Sequence, residues 1–489
     1  MIKNIKWILI ASLGMVSCSQ EVEDTSGIQP EVVVSKGSAD FSRYVALGNS
    51  ITAGFSDGAL FKAGQENAYP KLMANQFATV GGGAFITPFM DDNVGGLLFF
   101  GNTVPGFGPR LVFLNGAPTP LPGSVPTTEV TDLLTGQFNN MGVPGAKSFH
   151  LLAPNYGNPV GTVAIPPTAN PYFVRFASST TTSVLADAMA QDPTFFSLWI
   201  GNNDVLGYAT SGGDGSNPIT PPTGVPGVGF DGTYTALVTT LTSNGAKGVV
   251  ANIPDVASLP FLTTVGYNPI PELTQAQADA LNAGYAAYNG GLLVAKGLGL
   301  INEAEQIQRT IVFTAGKKKP VVMIDEYLTD ISMINPGLIK LRFTTPEDYI
   351  GLSSQGVSVQ AHLAAGNGTQ FPLQDRWVLS KKEVEEIRTA TAAYNETIKG
   401  LAQANGLAFV DASAVLNQLK NGGILFETYH FTNQYVQGGA FGLDGVHLTP
   451  RANAYIANKF LEAIERTYGS SFRKYKPQDF PLSYPAFLQ

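Results

Sequence analysis

Short apolar runs alternate with helical stripes along most of this chain. Residues 44–47, Tyr-Val-Ala-Leu, read as a buried strand that stops at Gly48-Asn49, a pair suited to a tight turn. The runs 195–200, 248–253 and 407–410 repeat the theme and end in Gly201-Asn-Asn-Asp204, Pro254-Asp255 and Asp411. Between them the apolar period changes to that of a helix. Helices are expected at 67–78, where Pro70 is tolerated in the first turn, and at 181–191, 233–243 and 273–294. Ser380-Lys-Lys-Glu383 is a capping box ahead of a stripe through Val384, Ile387, Tyr394, Ile398 and Leu401. Thr449-Pro450 opens a last helix through Tyr455, Ile456, Phe460 and Ile464. Strands alternating with helices predict a mostly parallel sheet covered on both faces.

Two stretches break the rhythm. Residues 81–130 are rich in Gly, Pro and Phe without a clear period. Long irregular segments in compact domains are usually functional loops, and this one is a candidate lining for an acyl pocket, the alternative being a packed cover over the sheet edge. Residues 310–375 are also irregular, apart from a strand at 321–324, as an inserted subdomain would be. Asn140-Met-Gly-Val-Pro-Gly145 is a Gly-rich turn with a helix expected from 146. The division is then 1–17 leader, 18–38 tether, 39–470 one domain with insertions near 81–135 and 300–378, and 471–489 tail.

Composition adds the address. Lys3 and Lys6 precede an apolar segment, Trp7 to Val16, too short to span a bilayer. Met15-Val16-Ser17-Cys18 then resembles a bacterial lipobox, which implies that the leader is removed and Cys18, the one cysteine of the chain, is lipidated. A lipid on that residue would hold the protein on a membrane without a spanning helix. The acidic run Ser19 to Asp24 reads as a solvated tether or as a surface-export signal. Net charge is −8 without a basic block, which argues against a nucleic-acid partner.

The chemistry gathers in four places. Ser50 sits at a strand's carboxyl end, beside the crevice where open α/β sheets bind ligands, although a serine there also suits a helix cap. Asp444-Gly-Val-His447 puts a carboxylate three residues before an imidazole in a turn ahead of a helix. Of His150, His362, His430 and His447, only the last has this context. Such an acid fixes the imidazole tautomer and leaves Nε2 free to take a serine proton. No Gly-x-Ser-x-Gly elbow is present. The stretch 142–148 has its glycines too close together for a phosphate loop, and no metal-ligand spacing stands out, so neither metal nor cofactor is expected.

Gly48-Asn-Ser50, Asn140-x-Gly-x-x-Gly145, Gly201-x-Asn203-Asp204 and Asp444-x-x-His447 occur in this order. The constellation resembles the SGNH (GDSL) hydrolases, a family of esterases and lipases, from about Phe41 to Tyr468. The resemblance implies a flavodoxin-like three-layer α/β/α sandwich with large loop insertions. It implies Ser50 as nucleophile, His447 as base and Asp444 as its orienting acid, with the Ser50 and Gly145 amides and the Asn203 side chain as oxyanion donors. The family's usual aspartate before the nucleophile is Asn49 here, where a turn-holding role is expected. Asn252-Ile-Pro-Asp255 resembles a further strand-end segment of the larger members, read as scaffold. The implied activity is hydrolysis of lipid or short acyl esters, by an enzyme lipid-anchored in a bacterial cell envelope, at the outer membrane. Carbohydrate deacetylation and a non-catalytic binding lipoprotein are the alternatives.

Overall fold

The computed structural model describes residues 33–354 and 357–488; Cys18, the leader and the acidic run lie outside the described residues. Five parallel strands form the central sheet: β1 (Tyr44–Gly48), β2 (Asn140–Gly142), β3 (Phe195–Trp199), β4 (Lys247–Ala251) and β5 (Ala408–Val410), in spatial order 2-1-3-4-5. β2 comes from the Gly-rich stretch that reads as a turn. Three residues are too few to show a strand period, and its Asn140 is buried by pairing, not by an apolar side chain.

Side chains alternate between two cores, as the pleat requires. Val45, Leu47, Phe196, Leu198 and Val250 enter one; Tyr44, Ala46, Phe195, Trp199 and Val249 enter the other. A very short helix, α1 (Ser50–Ala53), follows β1, and α2 (Tyr69–Ala78) packs its Tyr69, Met73 and Phe77 into the second core. The first core is covered by α3 (Asn203–Thr210), α4 (Phe230–Thr242) and, beyond an insert that contains α5 (Gln275–Gly297), by α6 (Lys381–Ala404) and α7 (Ala412–Lys420). Phe230 of α4 stacks on Tyr394 of α6 with centroids 4.1 Å apart. The second core is closed by α8 (Pro450–Tyr468), whose stripe includes Ala457, Phe460, Leu461 and Ile464.

Both helix starts read from the sequence are built as side-chain caps. Ser380 and Glu383 bond reciprocally at α6. The Ala452 amide donates to Thr449 Oγ1 at 3.1 Å, and Gly469, at φ 69°, ends α8. Each cap satisfies a donor that the helix geometry leaves without a partner.

The insert has its own core, running from Ile270 to Val378. The buried side of α5, Ala278, Tyr285, Tyr288 and Leu292, packs there against Ile311, Phe313 and Val322, not on the sheet. The stripe of α5 resembles that of any sheet-covering helix, which is why periodicity alone leaves this helix in the main rhythm. Arg342 ties the insert together: it pairs with Asp325 and reaches Asp348 with two bonds of 2.7 and 2.9 Å.

Candidate active site

Ser50 is placed by its neighbours. Asn49 Oδ1 accepts the Ile51 amide at 3.1 Å, so Asn49 caps α1 and leaves the Ser50 hydroxyl free for other work. Ser50 is the first residue of α1, where an amide has no partner within the helix. Glycines bring the surrounding backbone close. A Cβ on Gly48 would lie 2.1 Å from Thr52 Oγ1, and one on Gly142 would lie 2.3 Å from the Ala53 nitrogen. Asn140 completes the cradle, with Nδ2 donating to the Thr52 carbonyl at 2.9 Å.

The acid–histidine loop arrives from the other end of the chain. His447 Nε2 lies 2.8 Å from Ser50 Oγ, and His447 Nδ1 lies 2.8 Å from Asp444 Oδ2. Asp444 Oδ1 accepts the Val446 and His447 amides, both at 2.8 Å, and Oδ2 also accepts the Gly58 amide at 2.8 Å. Burial raises this carboxyl, but the charge and hydrogen bond of His447, with the His447 and Val446 amides, outweigh burial and hold it at about 2. The Phe55 ring packs on the imidazole, centroids 4.6 Å apart.

Asp57 is a site residue that the sequence gives no sign of. Its backbone has φ 49°, its side chain is buried, and Oδ1 accepts the Leu443 amide at 2.7 Å, one residue before Asp444. With Ser56 Oγ donating to the Leu448 carbonyl at 3.1 Å, residues 56–58 grip the acid–histidine loop on both sides. Burial, with the charge of Asp444 adding to it, pushes the Asp57 carboxyl up to about 7; the Leu443 amide, Arg110 and His447 pull the other way. Nothing in the order of residues 55–58 marks the turn as a partner of residues almost four hundred positions away.

Asn203 opens α3 and lines the same pocket as Ser50 and His447. Its Nδ2 donates to the Ala146 carbonyl at 2.9 Å, which uses one of its two amide hydrogens. Asp204 fixes the next turn by accepting the Ser148 amide at 2.8 Å and the Ser148 hydroxyl at 2.6 Å. Burial raises the Asp204 carboxyl while those two Ser148 bonds oppose the rise. The strand-end segment 201–204 thus clamps residues 146–148. Gly145, at φ 81°, precedes that clamp; its amide has no acceptor among the described residues, and it is not part of the pocket wall. The helix expected from 146 is a single short turn, Ser148–Leu151.

Asn252-Ile-Pro-Asp255 is mostly scaffold. Asn252 bonds Asp411 and the Ser413 amide, and Asn395 brackets Ile253 by bonding both its amide and its carbonyl. Pro254 does reach the pocket wall. Where the insert meets α6, Glu326 and Asp375 of the insert and Glu383 of α6 bring carboxylate oxygens within 4.8 Å of one another, a grouping that spacing does not foretell. Glu383 is already committed to the cap of α6.

The pocket at Ser50 encloses ≈ 810 Å³, its open mouth included. Its wall comes from the segments that follow β1, β3, β4 and β5 and from the acid–histidine loop with the start of α8. No residue of the aromatic stretch 81–130 lines it. Phe85 instead stacks on Tyr44, Phe107 packs on Tyr172, and Phe100 and Phe113 face outward. The aromatic stretch is a cover, anchored through buried Arg110 to Asn93 and to the tail at Pro485. No family model, no curated protein and no solved structure matches the chain.

Proposed function

We propose that this protein is a serine ester hydrolase of the SGNH (GDSL) type on a flavodoxin-like three-layer sandwich. The observation that carries the reading is the relay Asp444–His447–Ser50, with both links at 2.8 Å. A serine hydroxyl is a weak nucleophile until a base stands beside it, and a base is most useful when a third group fixes its tautomer. The strand order 2-1-3-4-5 is the flavodoxin-like one, and Ser50 and Asn203 follow the two strands that flank its switch point, where such sheets bind ligands.

In this reading His447 takes the Ser50 proton as Oγ attacks the ester carbonyl. Negative charge develops on the carbonyl oxygen, and the Ser50 amide and the remaining Asn203 hydrogen receive it; the Gly145 amide, the third donor that the family resemblance implies, lies outside the pocket wall and would serve only if residues 143–146 moved toward the substrate. His447 returns the proton to the departing alcohol, then activates water to release the acid from the acyl-enzyme. Asp444 stays ionised throughout and stabilises the imidazolium. The substrates are lipid or other acyl esters. A deacetylase acting on carbohydrate would use the same relay, but the apolar wall favours hydrocarbon over sugar.

The site belongs, on this proposal, to an envelope lipoprotein held by a lipid on Cys18. No helix among the described residues is long and apolar enough to cross a membrane. A fluorophosphonate probe tests the enzyme reading: covalent labelling of the wild type and not of Ser50→Ala, with hydrolysis of p-nitrophenyl acetate, is expected. Folded protein that neither labels nor hydrolyses would instead be a binding lipoprotein.

A further inference from the structure

The pocket runs on past the reacting atoms, along the carboxyl ends of the strands. Asn49 follows β1, Trp199 ends β3, Pro254 follows β4 and Ala412 follows β5, and all four line it. Those strands are successive neighbours in the sheet. Three inter-strand steps of ~4.8 Å therefore carry the floor about 14 Å from the serine. There α7 closes it with Leu416 and Leu419, one turn apart, beside Ile424 and Phe431 of the hairpin that follows.

The chemistry of the lining is graded along that path. Asn49, Ser50, Asn202, Asn203 and His447 all belong to the β1–β3 end and the loop above it. From Pro254 onward the wall is apolar apart from the Tyr455 phenol. Trp199 presents only its ring, because its Nε1 donates to the Asn252 carbonyl at 3.1 Å. A ligand with one polar carbonyl head and an unbranched hydrocarbon tail matches this gradient.

We propose that the pocket holds the acyl chain of a medium-chain ester and that Leu416 and Leu419 of α7 set its length. The inference rests on the hydrolase reading above. With C–C bonds of ~1.5 Å, a zigzag chain covers about 14 Å in roughly ten carbons. The leaving alcohol then lies toward the mouth, and its identity matters less than the length of the acid.

The test uses the full chain and p-nitrophenyl esters from acetate to palmitate. kcat/KM should climb by up to about fourfold per methylene, as expected for full burial of each, peak between octanoate and dodecanoate, and fall beyond. Leu416→Trp should lower the decanoate-to-acetate ratio by about tenfold or more, and Leu419→Ala should move the peak to longer acids. Ser50→Ala read by thermal melting supplies a measurement without turnover: decanoate should raise its melting temperature and acetate should not. That result stands even if Leu416→Trp fails to fold. A flat length profile in an enzyme that labels at Ser50 and hydrolyses acetate overturns the pocket assignment alone. So does a length dependence seen with alkyl acetates and absent from the p-nitrophenyl series, which would put the alcohol in the pocket. Absence of both labelling and hydrolysis removes the hydrolase reading and this inference with it.

Discussion

Asp444→Asn separates an orienting acid from a loop-holding one. The carboxylate uses both oxygens: Oδ1 on two backbone amides, Oδ2 on the Gly58 amide and the imidazole. An asparagine can present its oxygen to only one of these pairs. Placing the amide nitrogen at the Oδ1 position would face it with two N–H donors. The favourable choice therefore puts nitrogen at the Oδ2 position, against His447 Nδ1 and the Gly58 N–H. Two consequences follow. The Gly58 amide loses its acceptor; Gly58 is exposed, so water can take the carboxylate's place and the cost is that of one net hydrogen bond, about 0.5–1.5 kcal/mol. The asparagine N–H also forces Nδ1 to be the acceptor, so the imidazole proton moves to Nε2 and points at Ser50 Oγ. The serine then faces a donor instead of a base. In enzymes with such a relay this tautomer error lowers kcat by about 10⁴-fold.

The magnitude has a second check in the native protein. A carboxyl held at about 2 instead of 3.8 corresponds to something like 2 kcal/mol of preference for the ionised form. That preference is present above pH 3.8 and is lost as pH falls through about 2. Part of it comes from the same His447 interaction that the proposed reaction would use. The assay is steady-state hydrolysis of a p-nitrophenyl ester by wild type, Asp444→Asn and Ser50→Ala, with melting curves to confirm folding. kcat should fall near the Ser50→Ala level, KM should change little, and stability should drop by roughly 0.5–1.5 kcal/mol. A folded Asp444→Asn enzyme that keeps a tenth of the wild-type kcat, while Ser50→Ala is inactive, would refute the tautomer argument.

Asn203→Ala removes a proposed oxyanion donor and should lower kcat by about 10²–10³-fold; a change in KM alone, measured with the same ester, would assign Asn203 to binding. Gly48→Ala pushes a methyl to 2.1 Å from Thr52 Oγ1 and 2.6 Å from the Trp199 carbonyl, so melting should show a clear loss of stability. An unchanged melting temperature would mean that β1 can shift without cost. Asp57→Asn should become more stable relative to wild type as pH rises from 4 to 8. The native carboxyl keeps its proton to about 7 while the unfolded one releases it near 3.8, so wild-type stability falls across that window, by up to an order of 4 kcal/mol. Parallel melting-temperature profiles of the two proteins over that range would contradict the raised carboxyl.

What could be read from the chain divides along a physical line. β1, β3, β4 and β5 are apolar because both faces of a parallel sheet are covered, and that leaves a run visible in sequence. β2 is held by Asn140, Met141 and Gly142 pairing with β1, and backbone pairing writes no pattern into side chains. The Asp444–His447–Ser50 relay was legible because residue type is restricted where a carboxylate, an imidazole and a hydroxyl must bond in line: few other side chains offer the same donors and acceptors. Its supports were not. Gly58 contributes a backbone amide and Asp57 a bond to the Leu443 amide, and any residue order that reaches the same place would do. The aromatic stretch 81–130 is the second of the two expected alternatives, the packed cover. Apolar composition says that a segment is buried against something, and the serine pocket was only one of the surfaces it could cover.

The insert leaves the site intact because of where it joins the sheet. Its chain departs after the strand end of β4 and returns at the capped start of α6, so β4 and β5 still pair directly. The floor of the pocket needs only that adjacency. Its two walls come from shorter connections, the turn after β4 and the helix–hairpin segment after β5, which are anchored by Asn252 bonding across to Asp411 and the Ser413 amide. Lengthening the insert should therefore leave the relay undisturbed, whereas breaking the Asn252 bridge would let α7 move and with it the end of the pocket. On the proposed reading, the length of acid accepted and the rate of the chemical step therefore rest on different contacts, and a mutation should alter one without the other.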